Sequence, residues 1–304
     1  MDLNFFKKIK ILDGGMGQEL LARGLISRGT LWSASALMEE KNHKLLIDTH
    51  LSFINAGADV ITTNTFSTRR VRMLQNKADN LFEYANLKAC ELALKAKEIS
   101  KKNIFIAGSI PAQNNTYEVD KREKNIIKKN FYDQANIIQP YIDFFYLDVI
   151  SSGLEIEIAL NTIERLNKPV LVGLYIKKNG KLPSGETITE IVKKYKNNNW
   201  LGLILACVSP EIIEKTTNEL KKIDLPFGFK ANLWASEPLP VHKFNRSKHN
   251  QIGENPNIVM GKREDITAKI FYKFAKKITK NGATILGGCC ETRPDHIMEI
   301  AKLK

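Results

Sequence analysis

A chain of 304 residues, 43% of them hydrophobic, is long enough to bury a large core as one α/β barrel or as two ordinary domains. Its 46 basic against 33 acidic side chains give a net charge of +13, but lysines such as Lys101, Lys102, Lys193, Lys194, Lys276 and Lys277 are spread over expected helix faces without interleaved aromatics, which argues against nucleic acid as a partner. No run approaches the ~18 apolar residues that span a bilayer, and MDLNFFKKIKILDGG has no sustained apolar stretch after its charges, so no membrane partner is expected and a cytoplasmic location is implied.

Taken in chain order, short runs rich in β-branched and aromatic residues read as strands at 10–15 (KILDGG), 59–66 (DVITTNTF), 103–110 (NIFIAGSI) and 143–150 (DFFYLDVI). The series continues at 169–176 (PVLVGLYI), 202–208 (GLILACV), 226–233 (PFGFKANL) and 282–288 (GATILGG). Their nearly continuous apolar character suits a parallel sheet covered on both faces. Helical spacing fills the intervals. Leu45, Leu46, Thr49 and Phe53 share a face that Gly57 ends; Ile266, Ile270, Phe274 and Ile278 recur through 265–280, which Asn281 and Gly282 end. Cys90 falls inside a helix and reads as a small buried hydrophobe. Eight βα units in this length predict an α/β fold, a single (β/α)8 TIM-type barrel occupying residues 1–304 as one domain. The segment 234–263, with Pro238, Pro240 and Pro256, has no periodicity; following strand seven, it is expected to lie over the C-terminal mouth as a lid.

Barrel chemistry collects at the C-terminal strand ends. Those ends carry Asp13, Asn64, Ser109, Asp148, Cys207, Asn232 and the adjacent pair Cys289 and Cys290. Neighbouring cysteines in a reducing compartment make poor disulfide partners. Three thiolates suit Zn²⁺ and leave a fourth position open, where a substrate thiol would lose its proton and stay nucleophilic. Alkyl transfer to sulfur is the matching reaction. Because no CxxC knuckle is present, close glycine packing with two buried cysteines remains an equal reading of GGCC at this point. DGGMGQEL lacks the third glycine of a dinucleotide fingerprint. Of the histidines, His43 and His50 sit on a helix, His296 packs or caps the last helix, and His242 and His249 lie in the long loop.

The segments ILDGGMGQEL (11–20), LWSASAL (31–37), AGADVITTNTF (56–66), the lone cysteine ending strand six and GGCCETRPDHI (287–297) together resemble the homocysteine S-methyltransferase family. That resemblance implies a (β/α)8 barrel with a three-cysteine zinc site, Cys207, Cys289 and Cys290, and methyl transfer to homocysteine to form methionine. It implies that Asp13, Gly14 and Gly15 help form the homocysteine pocket, that Trp32 stands near the donor, and that Asp148 takes the place of a usual glutamate holding the homocysteine ammonium. Asn64 is a further expected pocket residue, or else a backbone-bonding asparagine. Small-molecule substrates are thus the implied partners, with a homo-oligomer left open. The expected donor is an onium compound such as S-methylmethionine, S-adenosylmethionine, betaine or dimethylsulfoniopropionate, with Trp32, Trp234 and Phe66 offering aromatic faces. The chain departs from the family pattern at Ala206 before the cysteine, at FKAN in strand seven, at GSIPAQNN after strand three, and at Glu291 and Arg293. Those departures leave a second expectation, a zinc-binding barrel that acts as a sensor or interaction subunit without catalysis.

Overall fold

The computed structural model describes residues 2–236 and 247–304; His242, Pro238 and Pro240 lie outside the described residues. Among these, eight parallel strands form one sheet: β1 (Lys10–Ile11), β2 (Val60–Thr62), β3 (Phe105–Pro111), β4 (Phe144–Ile150), β5 (Val170–Leu174), β6 (Trp200–Val208), β7 (Phe227–Ala231) and β8 (Ile285–Gly288). Their spatial order is β1-β8-β7-β6-β5-β4-β3-β2. The ring closes where Leu12 bridges Val60, the Asp13 N–H donates to the Val60 carbonyl (3.0 Å) and the Asp59 N–H donates to the Ile11 carbonyl (2.7 Å). The fold is the expected (β/α)8 TIM-type barrel.

Several strands are shorter than their apolar runs. The first pairs only at Lys10–Ile11, because Asp13, Gly14 and Gly15 turn inward to meet the last strand's loop. The second stops at Thr62 and gives way to a turn over Phe66–Thr68. The last begins at Ile285. β6, by contrast, reaches back to Trp200.

The N-terminal turn Phe5–Lys7 packs against the starts of the strands. Phe6 is fully buried with its ring 5.9 Å from Phe144, and Phe5 stacks edge-on to Phe105 at 4.6 Å. Burying a phenylalanine contributes about 1.5–3 kcal/mol, so the end of the barrel opposite the candidate site is sealed by hydrophobic packing. The helix expected over 265–280 runs Ala268–Lys280, and its buried face is Phe271, Phe274, Ala275 and Ile278 while Ile270 is exposed. The spacing of four misjudged that face: steps of four drift about 40° each on a helix with 3.6 residues per turn, so the residues do not stay in one stripe. Phe229 of β7 meets Phe274 at 4.9 Å and Phe271 at 6.3 Å, which docks this helix on the sheet. Gly57 and Gly282 take φ of +102° and +103°, the left-handed conformation that ends the helices before β2 and β8. Cys90 is buried in the helix Phe82–Ser100, as expected. No helix among the described residues is long and apolar enough to cross a membrane.

His50, in the helix His43–Asn55, is fully buried, and neither ring nitrogen has a hydrogen-bond partner. Burial lowers its pKa from 6.5 to about 4, against a smaller opposing pull from Asp13. The unfolded chain therefore binds a proton that the folded chain refuses, so stability is full above pH 6.5 and falls as pH drops from 6.5 towards 4. The expected loss from this group is about 3 kcal/mol. Urea unfolding across that window should show a shallower acid slope for His50→Met than for the wild type; equal slopes would contradict the assignment.

Candidate active site

A cavity of about 1170 Å³, counted to its open mouth, occupies the C-terminal end of the barrel. Its wall includes the nine residues expected to bind substrate or metal, Asp13, Gly14, Gly15, Trp32, Asn64, Asp148, Cys207, Cys289 and Cys290, together with Ser109, Phe66 and Trp234, whereas Asn232 is not part of it.

The cysteines converge through two local irregularities. β6 carries a register shift between Ala206 and Val208, and Cys207 within it has φ of +56°, so the bulge re-aims that side chain. Asn232, one residue beyond β7, donates its side-chain amide to the Cys207 carbonyl at 2.6 Å and accepts from the Trp234 N–H at 3.1 Å. On the other side, the Cys289 N–H donates to the Ala231 carbonyl (2.7 Å) and the Leu233 N–H donates to the Cys290 carbonyl (2.9 Å). The Gly15 N–H donates to the Thr292 carbonyl at 2.9 Å, and the Gly288 N–H to the Asp13 carbonyl at 3.0 Å. Gly15 has no room for a side chain: a Cβ there would run into the Cys289 carbonyl group, and one at Gly288 would run into Thr292. Close glycine packing and a sulfur cluster, two readings of the same motif, are both present.

The Cys207 Sγ and Cys289 Sγ each lie 3.8 Å from the Cys290 Sγ, and the three sulfurs lie within 4.8 Å of one another. Zinc–sulfur bonds of about 2.3 Å at tetrahedral angles require sulfurs about 3.8 Å apart, so the cluster fits that ion. Burial acts to raise the Cys207 thiol, but hydrogen bonds from Cys289, Cys290 and the Tyr117 hydroxyl (3.0 Å) outweigh it and hold the thiol well below its ordinary pKa. The same arrangement pushes Cys289 and Cys290 well above theirs, chiefly through their hydrogen bonds to Cys207. A metal bound there would displace the protons that the three thiols hold.

Asp148 lies at a second irregularity, a register shift between Leu147 and Ile150 with Val149 at φ of +60°. Its Oδ2 accepts from the Ser109 hydroxyl at 2.9 Å. Burial raises its pKa to about 7, against the lowering pull of Lys230. Asp13 is engaged on both oxygens: Oδ1 accepts from Lys230 Nζ at 2.5 Å and from the Thr62 hydroxyl at 2.9 Å, and Oδ2 from the Thr62 N–H at 2.6 Å. The carboxylate nearer to being free is therefore Asp148. Asn64 donates its side-chain amide to the Ser33 carbonyl at 2.9 Å, making it a backbone-bonding residue that also lines the cavity.

Trp32 has φ of +49°, and its indole N–H donates to Gln18 Oε1 at 3.1 Å. Phe66 meets it edge-on at 6.5 Å, and Trp234 adds a third aromatic wall. Ser247, Glu254 and Met260, from the described flanks of the 234–263 segment, also line the cavity. That segment holds a short helix, Asn257–Met260, and an antiparallel bridge from Trp234 to Lys262. His249 is exposed and His296 caps the helix Pro294–Ala301, accepting from the Arg293 N–H at 3.2 Å.

Glu291 and Arg293, which depart from the family pattern, do not line the cavity. Glu291 is buried and accepts from Gln18 (2.7 Å) and Asn257 (2.9 Å), while Arg293 pairs with Glu19 at 2.5 Å. They fasten the cysteine loop to the first helix and to the segment after β7. Among the lining residues that sequence reasoning passed over are the charged or ionisable Lys230, Arg69, Arg72 and Tyr117. Only Lys230 carried a signal, a lone charge inside an otherwise apolar strand.

The sequence pattern of the family described as homocysteine S-methyltransferase matches residues 10–303. The chain belongs to the homocysteine S-methyltransferase family. It is 28% identical to an S-methylmethionine–homocysteine S-methyltransferase of Pongo abelii over 97% of this chain and 78% of that protein. It is 24% identical to homocysteine S-methyltransferase 2 of Saccharomyces cerevisiae over 97% of this chain and 94% of that one. The fold is similar to the metallated form of the Escherichia coli homocysteine methyltransferase MmuM, with a TM-score of 0.76 and 18% identity over 98% of this chain and 96% of that chain. As a member of this family the protein is a methyltransferase whose acceptor is homocysteine.

The glycine contact yields a direct prediction. Gly15→Ala forces the Cys289 carbonyl to move, and overpacking of this kind costs about 1–3 kcal/mol. Competition with a chromophoric chelator should show zinc held at least about tenfold more weakly than by the wild type. Unchanged zinc affinity would mean that this contact does not position the sulfurs.

Proposed function

We propose that the protein transfers a methyl group from an onium donor to the thiol of homocysteine, with zinc held by Cys207, Cys289 and Cys290, and that residues 1–304 act as one catalytic domain. The candidate donors are S-methylmethionine, S-adenosylmethionine, betaine and dimethylsulfoniopropionate. The observation that carries the zinc reading is the 3.8 Å sulfur spacing at the floor of the cavity. Held by Cys207, Cys289 and Cys290, zinc would supply a Lewis acid that favours thiolate over thiol at neutral pH.

The chain's own side chains handle the remainder of the acceptor and the donor. Asp148 offers a carboxylate to the acceptor's ammonium; an arriving cation pulls its pKa back down, so binding and ionisation reinforce one another. Asp13, locked by Lys230 and Thr62, fixes the turn through Gly14 and Gly15. In the transfer, the acceptor sulfur's electron pair forms the new S–CH₃ bond as the onium–CH₃ bond breaks; the leaving sulfur or nitrogen takes that bond's electrons and departs neutral. Charge is thus dispersed in the transition state, and aromatic walls at Trp32, Phe66 and Trp234 favour such a step by positioning the donor. Thiols kept for a metal also suit a reducing compartment such as the cytoplasm. A sensor barrel without catalysis has no specific observation in its favour.

The test is zinc content combined with methionine formation. Zinc near one per chain and methionine produced from homocysteine with at least one donor support the reading; zinc retained with no turnover across all four donors contradicts it. Cys289→Ser should lose zinc and activity together. Asp148→Asn should keep its zinc and raise the homocysteine KM by about tenfold or more, the worth of a charge-assisted contact. An unchanged KM would remove Asp148 from the acceptor site.

A further inference from the structure

Arg69 is among the largest fully buried side chains of the protein and lines the cavity. One terminal nitrogen donates to the Phe66 carbonyl at 3.2 Å and the other to the Thr116 hydroxyl at 2.9 Å. Its Nε has no partner, and no carboxylate among the described residues forms an ion pair with it. A guanidinium carries five N–H donors and a permanent charge, and burying it without a counter-ion costs several kcal/mol. Three residues on, Arg72 lines the same cavity and is also buried. Lys230, the third cation of the wall, is matched by Asp13, whereas Arg69 forms no ion pair among the described residues and only the more distant Asp148 charge offsets it. Burial, then the charge of Arg72, pushes the Arg69 pKa well below its ordinary value.

The position of this cation matters as much as its isolation. Thr116, which holds it, is followed by Tyr117, whose hydroxyl touches the Cys207 sulfur at 3.0 Å. One dipeptide therefore links the guanidinium to the sulfur cluster. Phe66 lies beside both ends of the donor region: its ring is 4.9 Å from the Arg69 guanidinium carbon and 6.5 Å from the Trp32 ring. A purely cationic donor brought to Trp32 would meet the Arg69 guanidinium beside Phe66 and be repelled. A donor carrying its own carboxylate would neutralise Arg69 and leave its onium group to the aromatic walls.

We propose that Arg69, with Arg72 behind it, is the receptor for a carboxylate on the methyl donor, so that the cavity accepts onium donors only as zwitterions. The inference rests on the methyltransferase reading above and assigns a residue to the carboxylate that each of its four candidate donors carries. Arg69 then makes a bidentate contact in the bound state that the free protein leaves unmade.

Calorimetric titration with matched probes tests this: glycine betaine against its methyl ester, and S-methylmethionine against its carboxamide. In the wild type each carboxylate should bind at least about tenfold more tightly than its neutral partner. Arg69→Met should reduce that ratio to about twofold or less by weakening the carboxylate alone, and Arg69→Lys should keep part of it. Equal binding within both pairs, discrimination that survives in Arg69→Met, or no binding of any of the four probes would overturn the proposal. The wild-type comparison needs no variant to fold. The two readings separate cleanly: methionine formation with equal use of carboxylate and neutral donors sinks the anion site but keeps the transferase, whereas discrimination without methionine formation does the reverse.

Discussion

The site depends on the backbone seam between the turn after β1 and the loop after β8. Two of the three sulfurs come from consecutive residues, and consecutive side chains point apart unless the backbone is bent hard. The bend is held by Gly15 and Gly288, whose N–H groups donate across the seam and whose missing side chains let Thr292 and the Cys289 carbonyl approach. Pairing β1 with β8 and gathering two of the sulfurs therefore rest on the same backbone contacts. The third sulfur reaches the same point because β7 lies between β6 and β8 and Asn232 holds the Cys207 carbonyl.

Strain is concentrated in the same place. Of the eight non-glycine residues with positive φ among the described residues, five are Trp32, Tyr117, Val149, Cys207 and Glu291, the other three being Lys77, Lys101 and Asn167 just after helical segments. The first four line the cavity, and Glu291 directly follows the cysteine pair. Each such residue costs about 1–3 kcal/mol, which only a well-anchored surrounding structure can hold. The anchors are visible in the sealed opposite end at Phe5 and Phe6, in the aromatic contact of Phe229 with Phe271 and Phe274, and in Glu291 and Arg293. Those last two residues look like departures at the substrate rim, yet they act as fasteners behind it.

The sequence made the barrel legible because apolar runs, glycine stops and their spacing are local signals. It also exposed the three cysteines that the structure gathers, since cysteines are few and these fall at strand ends. The positions of Asp148 and Asn64 were legible for the same reason. What stayed hidden was charge. Arg69 and Arg72 look like any other basic residues in a chain with 46 of them, and nothing local indicates that one is fully buried without a carboxylate. Lys230 was visible as an anomaly in FKAN, but its partner, Asp13, is 217 residues away. The ion pair changes the expectation for Asp13, whose oxygens are already engaged. Helix faces read with a spacing of four, as for Ile270, failed because the true period is shorter.

The central claim is that three cysteine sulfurs form a metal site with one position open to an acceptor thiol. Zinc X-ray absorption spectroscopy tests it most directly. The account predicts three sulfur neighbours at about 2.3 Å in the protein alone and four after homocysteine is added. Fewer than three sulfurs, or no change in sulfur count with saturating homocysteine, would contradict it.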